Sequence, residues 1–299
     1  MSYGVVVGID GSAQSAAAAE WAAREALRRG LGLRMVHVAG TEADALERDL
    51  GGGSAVPEPV AVIRDRIAAV SPGLDVSCEI RPGSPADDLA AVGRRAELLV
   101  VGSRGLGGFT GLLVGSVGLR TAARAGCPVV LVRAGADGLG GAEGRGRADG
   151  MGGAPGDVVV GVEGDRPCDA VLAFAFRHAA DTGAVLRAVE SRNVPHGGPY
   201  VTEAPVGQRE IRDSLAAAEQ LRLQDALDRW REKYPEVRTE AELYPGSPAG
   251  ALVAASRSAS LLVLGRRTPK HTLGAPRLGA VTQSVLHHAH SPVAVVPHA

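Results

Sequence analysis

Lysine is nearly missing from this chain: of 32 basic residues, only Lys233 and Lys270 are not arginine. Aromatic residues are equally scarce at 3%, so any core has to be assembled from Val, Leu and Ala. Net charge is close to nil, at −1, which argues against a broad electrostatic footprint for nucleic acid or anionic lipid. No apolar run approaches the ~20 residues a membrane helix needs. Tyr3 to Ile9 already reads as a buried strand, so no signal peptide is expected ahead of the fold. Cys78, Cys127 and Cys168 form an odd, scattered set without metal-ligand spacing, which suits a reducing cytoplasm, the expected location. Neither nucleic acid nor membrane is expected as a partner.

What is present is enough for two domains of ordinary size: 299 residues, 45% hydrophobic and 22% charged, the balance of a globular protein. The chain also repeats itself. Gly4-Val-Val-Val-Gly-Ile-Asp10 returns as Asp157-Val-Val-Val-Gly-Val-Glu163. Arg81-Pro-Gly-Ser-Pro-Ala-Asp-Asp-Leu89 returns as Tyr244-Pro-Gly-Ser-Pro-Ala-Gly-Ala-Leu252. Leu98-Leu-Val-Val-Gly102 returns as Leu261-Leu-Val-Leu-Gly265, and Cys127-Pro-Val-Val-Leu-Val132 as Ser291-Pro-Val-Ala-Val-Val296. Four blocks in one order mark a duplication. The expected boundaries are a first domain at 1–134, a glycine-rich linker at 135–156 and a second domain at 157–299. The linker is too poor in large apolar residues to fold, and its coil reach of roughly 25–30 Å lets two compact domains lie side by side.

Each copy reads as five strands alternating with four helices, with first-copy strands near 4–9, 33–38, 75–80, 97–102 and 128–133. Continuous Val/Leu/Ile runs, rather than alternating ones, predict strands buried on both faces of a parallel sheet. Ser12 is a good N-cap for the first helix and Gly30 a left-handed stop; Ala16, Ala19, Ala23, Ala26 and Leu27 form its apolar stripe. Ser84-Pro85 opens the third helix. In the second copy, Leu223, Leu227, Trp230 and Tyr234 line one face of a long helix. The alternation makes a doubly wound α/β sheet the natural architecture.

In such sheets, ligands sit beyond the carboxyl ends of the strands, where the strand order switches. Two first-copy segments carry suitable chemistry. Val7-Gly8-Ile9-Asp10-Gly11-Ser12 presents a carboxylate at a strand end. Gly102-Ser103-Arg104-Gly105 leads through further glycines to Gly115-Ser116-Val117 at the start of the fourth helix. Glycines let backbone amides approach an anion, and a helix N-terminus adds a favourable dipole. Ser116 is placed as N-cap and phosphate donor, and Arg104 adds charge. A Walker loop is excluded because neither lysine follows a glycine, and a dinucleotide fingerprint belongs after strand one, not strand four. His287, His288 and His290 read as surface residues at a helix end. No Ser/His/Asp or Cys/His constellation assembles, so no catalytic residue is assigned.

Here the sequence resembles the universal stress protein family, twice over. Its nucleotide-binding members carry Gly-x2-Gly-x9-Gly-[Ser/Thr], and Gly102-x2-Gly105-x9-Gly115-Ser116 fits without a gap. The resemblance implies two tandem Rossmann-like domains, each a five-stranded parallel sheet of order 3-2-1-4-5. It implies ATP, or its relatives AMP and ADP, as ligand, with Asp10 and Val38 beside the adenine and ribose. Gly102 falls at the ribose, and Gly105, Gly115, Ser116 and Val117 at the phosphates; Asp10 is also a candidate Mg²⁺ contact. It further implies pairing of the two fifth strands as a pseudo-dimer within one chain, with association of two such chains left open.

The second copy departs from the pattern. Glu163 replaces the aspartate, Thr268 the second glycine and Ala280 the serine, and ten residues instead of nine reach Gly279. Weak or absent ATP binding is expected there, although Arg266, Arg267 and Lys270 would attract phosphate. A nucleotide-dependent regulatory module is the leading expectation. A slow ATPase or phosphotransferase, and a partner-binding protein with a vestigial site, stay open beside it.

Overall fold

The computed structural model describes residues 3–39, 56–103, 114–133, 156–192, 206–268 and 277–299. The first half runs β1 (Val5–Gly8), α1 (Ala13–Arg29), β2 (Leu33–Ala39), α2 (Glu58–Val70), β3 (Val76–Pro82), α3 (Pro85–Gly93), β4 (Leu98–Gly102), α4 (Ser116–Arg124) and β5 (Val129–Val132). The second half repeats this as β6 (Asp157–Gly161), α5 (Asp169–Thr182), β7 (Leu186–Arg192), α6 (Val206–Lys233), β8 (Thr239–Pro245), α7 (Pro248–Ala255), β9 (Ala259–Arg267), α8 (Ala280–His288) and β10 (Val293–His298). The expected linker falls almost entirely outside the described residues.

Within each half the strands are parallel, in the order third, second, first, fourth, fifth. The halves are then joined. β5 pairs antiparallel with β10, matching Leu131 with Val293, Val130 with Ala294 and Val129 with Val295, so one ten-stranded sheet runs through the molecule.

The valine runs are continuous because each side of the sheet carries helices. Val5 and Val7 enter one core with α1, α2, α5 and α6, while Val6 enters the other with α3, α4, α7 and α8. Leu223 and Leu227 are fully buried, and Trp230 stacks on Phe176 with ring centres 5.9 Å apart. Tyr234, just beyond the end of α6, stacks on the same ring at 5.8 Å.

Local signals set the helix ends. The Ser12 hydroxyl accepts from the Ser15 amide at 3.1 Å, and Gly30 ends α1 at φ 64°, where a side chain would be strained. Two expectations need correction. Leu27 is 47% exposed, because α1 turns Ala18, Ala22 and Glu25 inward beside Ala19, Ala23 and Ala26. Ser116 is not the N-cap of α4: Gly115 holds that position with extended backbone, and Ser116 is the first helical residue.

Side chains also cross between halves. Glu25 of α1 meets His178 of α5. Arg133 donates from Nη2 to the Leu286 and His287 carbonyls at the end of α8, 2.9 and 2.7 Å away. Arg266 donates to the Ala125 carbonyl at the end of α4, 2.6 Å away. Each half therefore places a cation on the negative end of a helix in the other.

Candidate functional site

The site is assembled from strand register. Gly8 pairs with Val36 and Val7 with Val100, so the next residues bring Val38 level with Asp10 and Gly102 level with Ile9. Val38 and Asp10 are therefore level at the carboxyl edge, with Gly102 one position short of them on β4, at the switch between β1 and β4. Asp10 is fixed there by its own turn, its Oδ1 accepting from the Ser12 amide at 3.0 Å. His37 meets the Ile9 carbonyl through Nδ1 at 2.8 Å, tying β2 to the same turn.

The fourth strand presses into that turn. A Cβ on Gly102 would sit 3.0 Å from both the carbonyl carbon and oxygen of Gln14, so any side chain there would push β4 and the first turn of α1 apart by a few tenths of an ångström. The Gly115 amide donates to the Ser103 carbonyl at 2.7 Å, and the Ser103 amide donates to Val132 at the same distance. The start of α4 is thereby tied to the end of β4. Ser116 and Val117 are exposed there, and the amides of a first helical turn have no acceptor within their helix. Gly8 has a packing role: a Cβ would lie 2.8 Å from Leu89 Cδ1. Arg104 and Gly105 fall outside the described residues.

The second half builds the corresponding place differently. A cavity of about 670 Å³ lies beyond β6 and β9, lined among others by Glu163, Arg166, Glu190, Arg266, Arg267 and Arg277. Glu163 faces Arg267 at 3.7 Å, both well exposed, so the carboxylate matching Asp10 already faces an arginine. Glu190 Oε1 accepts from the Gly164 amide at 2.9 Å, and burial raises this carboxyl above its ordinary pKa. Gly279 is the N-cap of α8 and Ala280 its first residue, so no hydroxyl stands where Ser116 does.

Glu25, His178 and Glu190 were not legible as site or interface residues in the sequence. Glu25 precedes Arg28 and Arg29 by three and four positions, the spacing of an ordinary solvated ion pair, and nothing local says that another domain covers it. Among the described residues, no group of three or more His, Cys, Asp or Glu is placed to hold a metal ion, and all three cysteines are unbridged. No helix among them is long and apolar enough to cross a membrane.

This fold and this crevice define a tandem, doubly wound α/β protein with one potential ligand site at the switch point of each half. Residues 2–133 and 156–297 each match the Universal stress protein family, and the chain belongs to that family. Universal stress protein Rv2005c of Mycobacterium tuberculosis is 31% identical over 309 aligned positions, covering 98% of this chain and 96% of the relative. Universal stress protein Rv2623 of the same organism is 30% identical, with 98% and 96% covered. The crystal structure of a universal stress protein from Archaeoglobus fulgidus spans both chains completely with a TM-score of 0.65; at 16% identity this supports the fold alone.

Proposed function

We propose that the first half binds an adenine nucleotide, ATP in the leading reading, and that the chain acts as a nucleotide-dependent regulatory module in a stress response. The observation that carries this reading is the contact of Gly102 with Gln14, which sets the β4 end against the Asp10 turn. A carboxylate and a row of strand-end backbone on one side, and the uncapped first turn of α4 on the other, give the crevice a base end and an anion end. Asp10 and Val38 would flank the adenine and ribose, with Gly102 at the ribose. Gly105, Gly115, Ser116 and Val117 would meet the phosphates, with Arg104 adding charge and Asp10 able to orient Mg²⁺ on the nucleotide. The antiparallel β5–β10 seam fits a reading of the chain as a fused pseudo-dimer. The cytoplasm, where adenine nucleotides are abundant, is the setting this function requires.

The test is to denature the purified chain, identify any released nucleotide by mass spectrometry, and titrate the stripped protein with ATP and Mg²⁺. One tight site, weakened at least tenfold by Asp10→Ala or Ser116→Ala, is expected. Two equivalent tight sites would overturn the assignment to the first half, and no binding at all would overturn the nucleotide reading.

A further inference from the structure

Tyr3 stands at the amino edge of the sheet, seven residues of chain, roughly 20 Å, from Asp10 at the other end of β1. Its amide donates to the Arg95 carbonyl at 2.7 Å, which fixes it two residues ahead of β1 and beside the turn between α3 and β4. Arg34 of β2 lies over its ring, with the guanidinium carbon 3.9 Å from the ring centre, and Glu79 of β3 holds Arg34 at 3.1 Å. Arg95 Nη1 donates to the Tyr3 hydroxyl oxygen at 3.2 Å. A phenol that accepts in this way keeps its own hydrogen to give. The Arg95 hydrogen bond, with the charges of Arg95 and Arg34, holds the Tyr3 pKa below the ordinary phenol value, which makes that hydrogen a stronger donor.

A cavity of about 280 Å³ opens beside this tyrosine, on the side of the sheet that α3 covers. Tyr3, Arg81, Arg94 and Arg95 line it together with Ala91 and Val92 of α3. Among the described residues its wall holds three guanidiniums, one hydroxyl and no carboxylate. Glu79 and Asp88 pair with Arg81 at 2.6 and 3.8 Å and answer its charge. Arg94 and Arg95, exposed at the end of α3, add two further charges.

The duplication shows that the fold does not require these cations. In the second half Arg187 stands where Arg34 does, and Glu242 where Glu79 does, with Nε and Nη2 of Arg187 2.7 and 2.9 Å from the carboxylate. Tyr244 and Ser258 occupy the positions of Arg81 and Arg95, and Arg187 donates to both hydroxyls, at 3.3 and 3.1 Å. The second half thus fills the matching place with neutral groups that bond to Arg187, while the first half fills it with guanidiniums that face open space.

We propose that this cavity binds a small molecule through an oxyanion group, phosphoryl or carboxylate, which accepts from the Tyr3 hydroxyl and from the guanidiniums of Arg94 and Arg95. Charge-assisted hydrogen bonds of this kind are the strong ones, and the planar guanidinium suits either group. Arg34 and Glu79 are positioning residues that hold the Tyr3 ring, and Ala91 and Val92 supply an apolar wall for a short organic stem. The volume lies just below the usual range for drug-sized ligands, so the occupant is small. A cationic ligand would meet three guanidiniums, and a purely apolar one would leave the phenol hydrogen unused. The place is separate from either switch point, and the proposal stands independently of the ATP reading.

The experiment uses the full chain with its tyrosine rings labelled with carbon-13, the Tyr3 signal being the one that Tyr3→Phe removes. Inorganic phosphate, methyl phosphate, acetate and propionate are titrated at pH 7 and constant ionic strength, with chloride as reference. A saturable shift of the Tyr3 signal is expected with the phosphoryl pair or the carboxylate pair, and the pair that binds more tightly assigns the group. Arg95→Gln should weaken it at least tenfold and Arg94→Gln severalfold; both residues are exposed, so the fold should survive. Arg257→Gln, at the second-half position matching Arg94, should leave the midpoint unchanged. So should Asp10→Ala, which separates this cavity from the ATP reading. No saturable Tyr3 shift with any of the four overturns the proposal. A midpoint unchanged in both the Arg94 and Arg95 variants, or one that moves with Asp10→Ala, also overturns it.

Discussion

Glu25 of α1 and His178 of α5 meet across the two halves, with Nδ1 of the histidine 3.2 Å from the carboxylate and Glu25 wholly buried. An ionised carboxylate only accepts, so Nδ1 carries the hydrogen. The imidazole lies between the rings of Trp21 and Phe174, at 6.1 and 6.5 Å, which fixes its plane. Arg29 completes the cluster, its Nε 2.7 Å from Glu25, and Arg28 holds the other carboxylate oxygen. Burial alone would raise the Glu25 pKa. The hydrogen bond and charge of His178, together with Arg29 and Arg28, hold it well below the ordinary carboxylate value instead.

That depression gives a signed pH dependence. A carboxyl whose folded pKa lies below its unfolded value stabilises the fold at pH above the unfolded value, about 4.5, and this contribution drains away as pH falls further. Glu25→Gln is expected to cost about 3–5 kcal/mol at pH 7, because it leaves cations buried without their partner. Urea midpoints measured from pH 7 down to pH 3 should show the gap between wild type and variant constant at first, then narrowing below about pH 4.5. A gap that stayed constant throughout, or widened, would contradict the assigned protonation.

The close approach at Gly102 is open to a more local test. Gly102→Ala sets a methyl 3.0 Å from the Gln14 backbone, which has no flexible end to yield, so about 1–3 kcal/mol of stability should be lost. Gly126→Ala is the matched control, since its nearest neighbour, Arg94 Cγ, is at an ordinary 3.7 Å. If the β4 end and the Asp10 turn form one ligand site, the Gly102 variant should also bind ATP at least tenfold more weakly and the Gly126 variant should not. Equal stability and equal binding of the two variants would remove Gly102 from the argument.

These two sites also show what the sequence could reveal. The Val5–Val7 run, the Ser12 cap and the Gly30 stop are short-range signals, each read from a few adjacent residues, and they placed the strands and α1. That the Asp10 turn and the end of β4 lie side by side at the switch point follows from the parallel order 3-2-1-4-5, which the sequence resemblance implied and the strand pairing shows. Glu25 was not legible, because its burial depends on α5, more than 140 residues away, and an i,i+4 partner masks it as a surface residue. Leu27 shows the same limit in reverse: a large aliphatic side chain on an alanine-rich helix stays exposed because the small residues around it allow close packing on the other side. The choice of Gly115 over Ser116 as N-cap turned on one residue of offset, and in the structure Gly115 is also the residue whose amide ties α4 to Ser103.

Cys127 gives a chemical check on the second core. It is 6% exposed just before β5, and burial pushes its thiol up to about 12. The thiolate is the reactive form, so at pH 8 only about one thiol in ten thousand is primed for alkylation. Iodoacetamide should therefore label Cys127 about a thousandfold more slowly than a solvated cysteine, and at full rate only after unfolding. Peptide mapping by mass spectrometry separates it from Cys78 and Cys168. Prompt native labelling at Cys127 would mean that the packing around β5 opens readily.

The seam between the halves has the largest consequence for assembly. Val129, Val130, Leu131 and Val132 are each no more than 4% exposed, and β10 supplies the cover on the outer side of β5. Removing the second half leaves a bare apolar strand with unpaired amides and carbonyls, the kind of edge that recruits another strand. An isolated first half, residues 2–133, is thus expected to self-associate as a dimer through antiparallel β5–β5 pairing, because that arrangement reproduces the β5–β10 geometry with an identical partner. Sedimentation equilibrium should return twice the monomer mass. Val130→Lys, at the centre of the seam, should return the monomer by placing two like charges close together across the new interface. A first half that is monomeric without any substitution would show that the β5 edge is not what holds the two halves together, and would shift that role to Glu25, His178, Arg133 and Arg266.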